Sequence, residues 1–197
     1  MTLHIILASN SPRRKELLAG LGFQFDVMPP QVDEKALCDP SLDPQAYVLA
    51  LAEAKGLSIA KNHPNSLVIS ADTVVVLDDQ YLEKPLDKAD AKAMLRKTQG
   101  TLHQVYTGIG VFYQGKICLE ALATSVRMAT MSEDEISAYI ETGEPMDKAG
   151  SYAIQGIGGQ FVEHIDGCYS NVVGLSLPLL KTLLTKLGIA TLPNLIK

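Results

Sequence analysis

Short apolar runs alternate with helix-like patterns along this chain, and turn residues separate them. The predicted strands lie at 3–8, 23–27, 67–70, 74–77, 81–82, 103–113, 116–129 and 161–165. The predicted helices lie at 12–21, 44–60, 87–99, 132–142 and 175–187. This order predicts a mixed α/β fold, a single domain over 1–197 in which a twisted mixed sheet is flanked by helices.

Polar residues mark the ends of several predicted elements. Asp43 is suited to cap the helix at 44–60, and Ser132 with Glu135 forms a capping-box sequence. Gln114-Gly115 joins two long strands as an antiparallel hairpin, and Asp78-Asp79-Gln80 makes a hairpin-like turn. A polar segment that contains several prolines spans residues 28–43.

The first predicted helix opens with three cations, Arg13, Arg14 and Lys15, directly after the polar turn 9–11. Positive charges there oppose the positive end of the helix dipole. A bound anion relieves the conflict, because backbone N–H groups and guanidinium forks at such a turn can hold a phosphate. The alternative is an exposed basic helix whose side chains extend into solvent. Both interpretations are open on these residues alone.

Composition limits the partners and the compartment. The 197 residues are 47% hydrophobic and carry a net charge of −5, so no sequence-wide basic surface favours long nucleic acid. Cys38, Cys118 and Cys168 show neither a disulfide framework nor zinc-ligand spacing. No apolar stretch reaches transmembrane length, and the opening apolar run lacks the n-region of a signal peptide. We therefore expect a cytoplasmic protein that does not bind membranes.

An aspartate interrupts the apolar run SLVISADTVVVL at 66–77. Burying a carboxylate there is costly unless a cation, a metal or several donors compensate it. Asp72 either lies in a turn and bonds its own backbone, or it acts as a metal ligand or a general base.

Other charged residues give weaker signals. Pro85 fixes an extended turn that would hold Lys84 in a defined place, although a solvated lysine is the alternative. Glu34 and Lys55 lie in a predicted loop and a predicted helix, where charged side chains are usually solvated.

The segment 143–159 is rich in glycines, which permit close approach of the backbone to a ligand. It contains Glu144, Asp147 and Lys148, and the amide of Gln155 can donate and accept together, as recognition of a base edge requires. The alternative is a long surface loop with turn glycines. The sequence has no GxxxxGK[ST], GxGxxG, GxSxG, CxxC or HExxH motif, and its four histidines lack metal-ligand spacing.

Five groups of motifs follow one another in order: LASNSPRRKELL; SADTVV with LEKP; GTLHQVYTGI; EPMDKAGSYAIQG; and GGQFVEHIDGCYSNVVGL. Together they resemble the Maf family of nucleoside triphosphate pyrophosphatases over nearly the whole chain. The resemblance implies a central nucleotide-binding cleft, a divalent metal (Mg²⁺ or Mn²⁺) and a homodimer. It also implies hydrolysis of a nucleoside triphosphate to the monophosphate and pyrophosphate, which would limit incorporation of non-standard nucleotides.

The same resemblance assigns roles to residues. Asp72 corresponds to the proton acceptor and, with Glu34, to a metal ligand. Arg13, Thr73 and Gln155 correspond to substrate-selecting positions, in the form found in dTTP and UTP pyrophosphatases. Further substrate-binding positions that match the family's cleft are Ser9, Arg14, Lys55, Lys84 and Lys148.

Two residues depart from the family pattern: Gly56 stands where alanine is usual, and Ser176 where proline is usual. Three other functions are open at this point. They are a nucleotide-sensing regulator of cell division and septum formation, a 7-methyl-GTP pyrophosphatase, and a general phosphatase that releases orthophosphate. The subgroup that acts on 7-methyl-GTP lacks the sequence DKAGSYAIQG, and its presence here favours a pyrimidine nucleotide as the substrate.

Overall fold

The structure, a computed structural model, describes residues 3–37, 39 and 41–192, with the backbone alone at Lys35. The strands of this part are β1 Ile5–Ala8, β2 Asp26–Val27, β3 Leu67–Leu77, β4 Gln80–Leu82, β5 Leu102–Tyr113, β6 Lys116–Met128 and β7 Val162–Asp166. The helices are α1 Pro12–Gly20, α2 Glu34–Leu37, α3 Pro44–Ala60, α4 Lys88–Thr98, α5 Glu133–Glu141, α6 Tyr169–Val173 and α7 Leu177–Lys186. Short 3-10 helices lie at Glu144–Asp147, Ala149–Ser151 and Ile157–Phe161.

The strands form one sheet in the order β2-β1-β3-β5-β6-β7, with β4 paired to β3. Strand β1 is parallel to both β2 and β3, and Ala8 pairs with Ser70 in the β1–β3 register. Strand β4 is antiparallel to β3, and β7 is antiparallel to β6. The predicted mixed α/β fold is therefore confirmed.

The described chain divides into two compact units. The first unit contains Met1–Asp72, Thr107–Leu122 and Gly174–Lys197, and the second contains Thr73–Tyr106 and Ala123–Val173. In the first unit the core includes Leu7, Leu18, Ile69, Ile109, Leu180 and Leu183. In the second unit it includes Val75, Leu95, Val126, Ile136, Tyr139 and Phe161. That 1–197 is one domain stays a prediction.

The capping and turn residues that the sequence indicates are present at the predicted ends of helices and strands. Asp43 Oδ1 accepts hydrogen bonds from the N–H groups of Gln45 and Ala46 and so caps α3. Ser132 and Glu135 form the reciprocal capping box at the start of α5. Residues 78–79 and 114–115 all have positive φ, as two-residue hairpin turns of the type I′ class require.

The predicted break between the strands at 67–70 and 74–77 is wrong. Strand β3 runs without a break through Asp72, because a lysine compensates its carboxylate, so the turn interpretation of Asp72 is excluded. The polar segment 28–43 contains the short helix α2, and 143–159 forms 3-10 turns. Helix α6 was not predicted, since its five residues are too few to show a helical period.

Cys118 and Cys168 are free thiols, and Cys38 lies outside the described residues. No helix in the described ranges combines the length and the apolarity needed to cross a membrane.

Candidate active site

A buried lysine joins two carboxylates in the first unit. Lys55 lies on the inner face of α3, and only 7% of its side chain is exposed. Its Nζ lies 2.7 Å from Asp72 Oδ1 and 2.9 Å from Glu34 Oε2. The ammonium compensates the charge of Asp72, whose side chain is only 11% exposed. A solvated position for Lys55, the alternative from sequence, is thereby excluded.

Strand β3 presents Asp72 to this lysine. Successive side chains of a strand leave opposite faces, so Asp72 shares a face with Ser70. Ser70 Oγ donates a 2.6 Å hydrogen bond to the carbonyl of Ala52, one turn before Lys55 on α3. The half-buried Thr73 leaves the other face of the strand, as Val75 does. The two neighbours Asp72 and Thr73 therefore have different surroundings.

Side-chain hydrogen bonds hold Arg14 in place in the first unit. Its Nε donates to the carbonyl of Gly174 at 2.8 Å, and its Nη1 donates to Ser9 Oγ at 3.4 Å. Ser9 is 3% exposed, and its Oγ also accepts the N–H of Ser11, the N-cap of α1. The guanidinium is thus fixed beside the first turn of α1.

The electrostatics place Arg14 near the lysine and carboxylate group. Burial lowers the pKa of Arg14, whereas the charges of Asp72 and Glu34 raise it and that of Arg13 lowers it. The exposed-helix interpretation is therefore wrong for Arg14. It holds for Lys15, which is exposed, and Arg13 is half-buried.

In the second unit, Lys148 is fixed within the 3-10 segment. Its Nζ donates to the carbonyl of Glu144 at 2.9 Å and pairs with Asp147. Two residues further on, the N–H of Gly150 donates to the carbonyl of Glu83 at 3.2 Å. This bond ties the segment that carries Lys84 to the segment that carries Lys148.

Glycine is required at position 150. Its φ is +69°, and an added Cβ would lie 2.9 Å from Val75. Lys84 is exposed, next to the buried Pro85.

Gln155 is exposed at the tip of a turn in the second unit. The N–H of Gly156 donates to the carbonyl of Ala153 at 3.2 Å and closes the turn. The carboxylate of Glu144 and the hydroxyl of Tyr139 hold this turn, and no sequence motif points to a role for Tyr139. The available signal was the glycine spacing of IQGIGG, which indicates that another group approaches the backbone closely.

The structure thus brings five of the predicted site residues together in the first unit: Ser9, Arg14, Glu34, Lys55 and Asp72. In the second unit, backbone hydrogen bonds link the segments of Lys84 and Lys148, and Glu144 links Lys148 with the turn of Gln155.

Comparison with known proteins shows which family this chain belongs to. Residues 4–187 match the family model described as Maf-like protein. The chain belongs to the Maf family. A relative in Gloeobacter violaceus named dTTP/UTP pyrophosphatase is 48% identical over 94% of this chain and 97% of its own. A Vibrio cholerae protein of the same name is 51% identical over 88% of this chain and 92% of its own.

The fold also resembles a solved structure outside these close relatives. The Staphylococcus aureus Ham1 protein superposes with a TM-score of 0.52 at 14% identity, covering 93% of this Maf chain and 98% of that one. At this identity the likeness concerns the fold alone.

The two departures from the Maf pattern have structural explanations. An added Cβ at Gly56 would lie 1.9 Å from Cε2 of Phe112, so the aromatic ring occupies the place of a methyl group. Ser176 is the N-cap of α7, and its Oγ accepts the N–H of Leu179 at 3.3 Å. Neither residue contacts Asp72 or Lys55 through these interactions.

Proposed function

We propose that this Maf protein is a nucleoside triphosphate pyrophosphatase that hydrolyses dTTP and UTP to the monophosphate and diphosphate. Relatives that carry this name are 43–51% identical to it over 88–98% of the chain. The observation that supports the chemistry most directly is the buried Asp72–Lys55 pair with Glu34 on the same ammonium. Such hydrolysis would limit the incorporation of non-standard pyrimidine nucleotides.

The reaction is an in-line attack of water on the α-phosphorus. A bond forms from the water oxygen to phosphorus, and the bond to the bridging oxygen breaks, so that pyrophosphate leaves. Asp72 accepts the proton of the attacking water, and Lys55 fixes the orientation of that carboxylate. Phosphoryl transfer depends mainly on positioning and on neutralising charge, which is the role of Arg13, Arg14, Lys84 and Lys148.

Asp72 and Glu34 are the residues that would hold a divalent cation. Their oxygens already share one cation, the ammonium of Lys55, and carboxylate oxygen is the donor that Mg²⁺ and Mn²⁺ prefer. Within the described ranges, no group of three or more His, Cys, Asp or Glu side chains could hold a metal ion. Mg²⁺ commonly binds one or two carboxylates and keeps waters and phosphate oxygens. When bound, the ion would neutralise charge on the triphosphate.

Substrate choice is assigned to Gln155, Thr73 and Arg13, as the family resemblance implies. The exposed amide of Gln155 can donate to and accept from a uracil or thymine edge at once. A wrong base would leave such polar groups unpaired, which is how a hydrogen-bonding site discriminates.

The test is a nucleotide panel with product identification. We expect the purified protein, with Mg²⁺ or Mn²⁺, to release pyrophosphate from dTTP and UTP with a higher kcat/KM than from CTP or 7-methyl-GTP. EDTA should abolish turnover, and added Mn²⁺ should restore it. Preference for 7-methyl-GTP would contradict the pyrimidine assignment, and release of orthophosphate would contradict pyrophosphatase chemistry. Nucleotide binding without turnover would favour a nucleotide-sensing regulator.

The proposal includes a homodimer in the cytoplasm, as the resemblance implies. Light scattering measures the mass of the particle directly. A mass near twice 21.2 kDa supports the dimer, and a mass near 21.2 kDa contradicts it.

A further inference from the structure

The carboxylate of Glu144 accepts hydrogen bonds on both of its oxygens inside the second unit. Oε1 accepts from the Tyr139 hydroxyl at 2.7 Å and from the N–H of Gly158 at 2.9 Å. Oε2 accepts from the N–H of Ile157 at 2.9 Å. All three partners donate, so the side chain at position 144 needs hydrogen-bond acceptors at both of its terminal atoms.

Tyr139 extends this contact to the other side of the Gln155 turn. Its hydroxyl donates to Glu144 and accepts the N–H of Ala153 at 3.1 Å. Residues before and after Gln155 are therefore bonded to the same Tyr139–Glu144 couple. The turn between them is closed by its own backbone hydrogen bond from Gly156 to Ala153.

The glycines of the segment make this approach possible. A Cβ at Gly156 would lie 2.1 Å from Glu144 Oε2, and a Cβ at Gly158 would lie 2.3 Å from the Tyr139 hydroxyl. Any side chain at either position would push the turn away from the couple. The IQGIGG spacing is thus explained by the carboxylate and the hydroxyl that lie against it.

Glu144 also contacts Lys148, another predicted substrate-binding residue of this unit. Its backbone carbonyl accepts a 2.9 Å hydrogen bond from Lys148 Nζ. One residue therefore contacts the lysine assigned to phosphate and the turn that carries the amide assigned to the base.

We infer that Glu144 is a positioning residue for substrate recognition, which holds the Gln155 turn and the Lys148 ammonium in a fixed relation. This inference rests on the proposed function, because it takes Gln155 and Lys148 as substrate contacts. Burial alone would raise the pKa of Glu144, but the hydrogen bonds from Gly158, Tyr139 and Ile157 lower it overall. Burial and the bond to Glu144 raise the pKa of Tyr139, so its hydroxyl stays a donor.

The test compares Glu144→Gln with the wild type. The amide keeps the size of the side chain, but its NH₂ must face at least one N–H or O–H donor. We expect KM for dTTP to rise by about tenfold or more, with kcat within about threefold. The ratio of kcat/KM for dTTP to that for 7-methyl-GTP should fall as well. Amide hydrogen exchange at Ile157 and Gly158 should become faster.

Two further variants complete the experiment. Glu141→Gln is the matched control: it lies on the adjoining helix, its side chain is 69% exposed, and its kinetics should equal those of the wild type. Tyr139→Phe keeps the aromatic packing on Phe161 and should raise KM in the same direction, to a smaller extent. It carries the test if Glu144→Gln does not fold.

The outcomes separate the two proposals. Unchanged KM and unchanged discrimination in a folded Glu144→Gln protein would overturn this inference and leave the proposed function standing. A fall in kcat with unchanged KM would also overturn it. If the wild type itself released no pyrophosphate from dTTP or UTP, the proposed function would fail, and this inference would fall with it.

Discussion

The ammonium of Lys55 lies 2.7 Å from the carboxylate of Asp72, and both side chains are almost completely buried. Glu34 contacts the same ammonium from a more exposed position. The two ends of the buried pair are therefore not equivalent. Loss of the Asp72 charge leaves Lys55 with a second partner, whereas loss of Lys55 removes the cation that both carboxylates contact.

Substitution Asp72→Asn tests the chemical role of this carboxylate. The amide keeps the shape and can still accept from Lys55, but it cannot take up a proton from water. We expect turnover of dTTP and UTP to fall by about 10²–10⁴-fold, the usual contribution of a general base. Pyrophosphate release is the assay, and the circular dichroism spectrum should be unchanged. A wild-type rate would show that Asp72 is not the base.

Substitution Lys55→Met tests the structural role of the pair. It leaves the buried Asp72 carboxylate without its ammonium, which should lower the free energy of unfolding by about 3–5 kcal/mol. The double variant Lys55→Met, Asp72→Asn should recover part of this loss, because neither position of the buried pair then carries a charge. Urea denaturation measures both.

The matched control for that experiment is Lys88→Met. This lysine pairs with Glu141 at 2.7 Å, but both side chains are more than half exposed. Its loss should cost at most about 1 kcal/mol. Equal effects at the two lysines would contradict the argument from burial.

Arg14 is expected to be intolerant of lysine. The Nε and Nη1 groups donate in two directions, to Gly174 and to Ser9, and a single ammonium on a flexible stem cannot reproduce that fork. Arg14→Lys should lower kcat/KM for dTTP by about tenfold or more. Lys15→Gln, an exposed neighbour, serves as the control and should retain wild-type kinetics. A fully active Arg14→Lys protein would argue against a positioned guanidinium.

His103 predicts a dependence of stability on pH. It is buried, its Nε2 is 2.8 Å from the Tyr152 hydroxyl, and its Nδ1 has no hydrogen-bond partner within the described ranges. Burial lowers the pKa of His103 from 6.5 to about 4. Between these values the unfolded chain binds a proton that the folded protein does not.

The free energy of unfolding should therefore fall as the pH drops from 6.5 towards 4, by up to about 1.4 kcal/mol per pH unit from this group. Above pH 6.5 His103 is neutral in both the folded and the unfolded protein, so it causes no loss of stability there. His103→Phe, measured by urea denaturation across the same range, should have a smaller slope than the wild type. Identical slopes would show that His103 does not titrate differently on folding.

Gly56→Ala should destabilise the protein even though alanine is the better helix former. The helix gains about 1 kcal/mol from the substitution, but forcing a methyl group against the Phe112 ring costs about 1–3 kcal/mol. Adding Phe112→Leu should restore part of the loss. Gly20→Ala, with nothing within 4 Å of its added Cβ, should not destabilise. Unfolding midpoints in urea measure all three.

Much of the fold could be predicted because its signals are local. The cap at Asp43 and the box at Ser132 involve residues two or three positions apart. The continuity of β3 could not be predicted locally. It depends on Lys55, which is 17 residues from Asp72 in the chain, and the sequence pattern around Lys55 predicts a solvated side chain.

The site shows the same limit. The motifs indicate Gln155 and Lys148 as site residues, but the distances along the sequence do not predict that Gln155 lies near Tyr139 or Glu144. Their contacts arise where a helix end and a later turn meet, and a sequence pattern carries that information only indirectly, as glycines with no room for a side chain.

The ring of Phe112 fills the volume that any other residue at position 56 would need. The two positions therefore form one packing unit between a helix and a strand. Which residue is tolerated at one position depends on the residue at the other. If each position is compared among relatives separately, Gly56 is interpreted as a residue that weakens its helix, and Phe112 as an ordinary core residue. Scored jointly, they describe how closely α3 can approach the sheet.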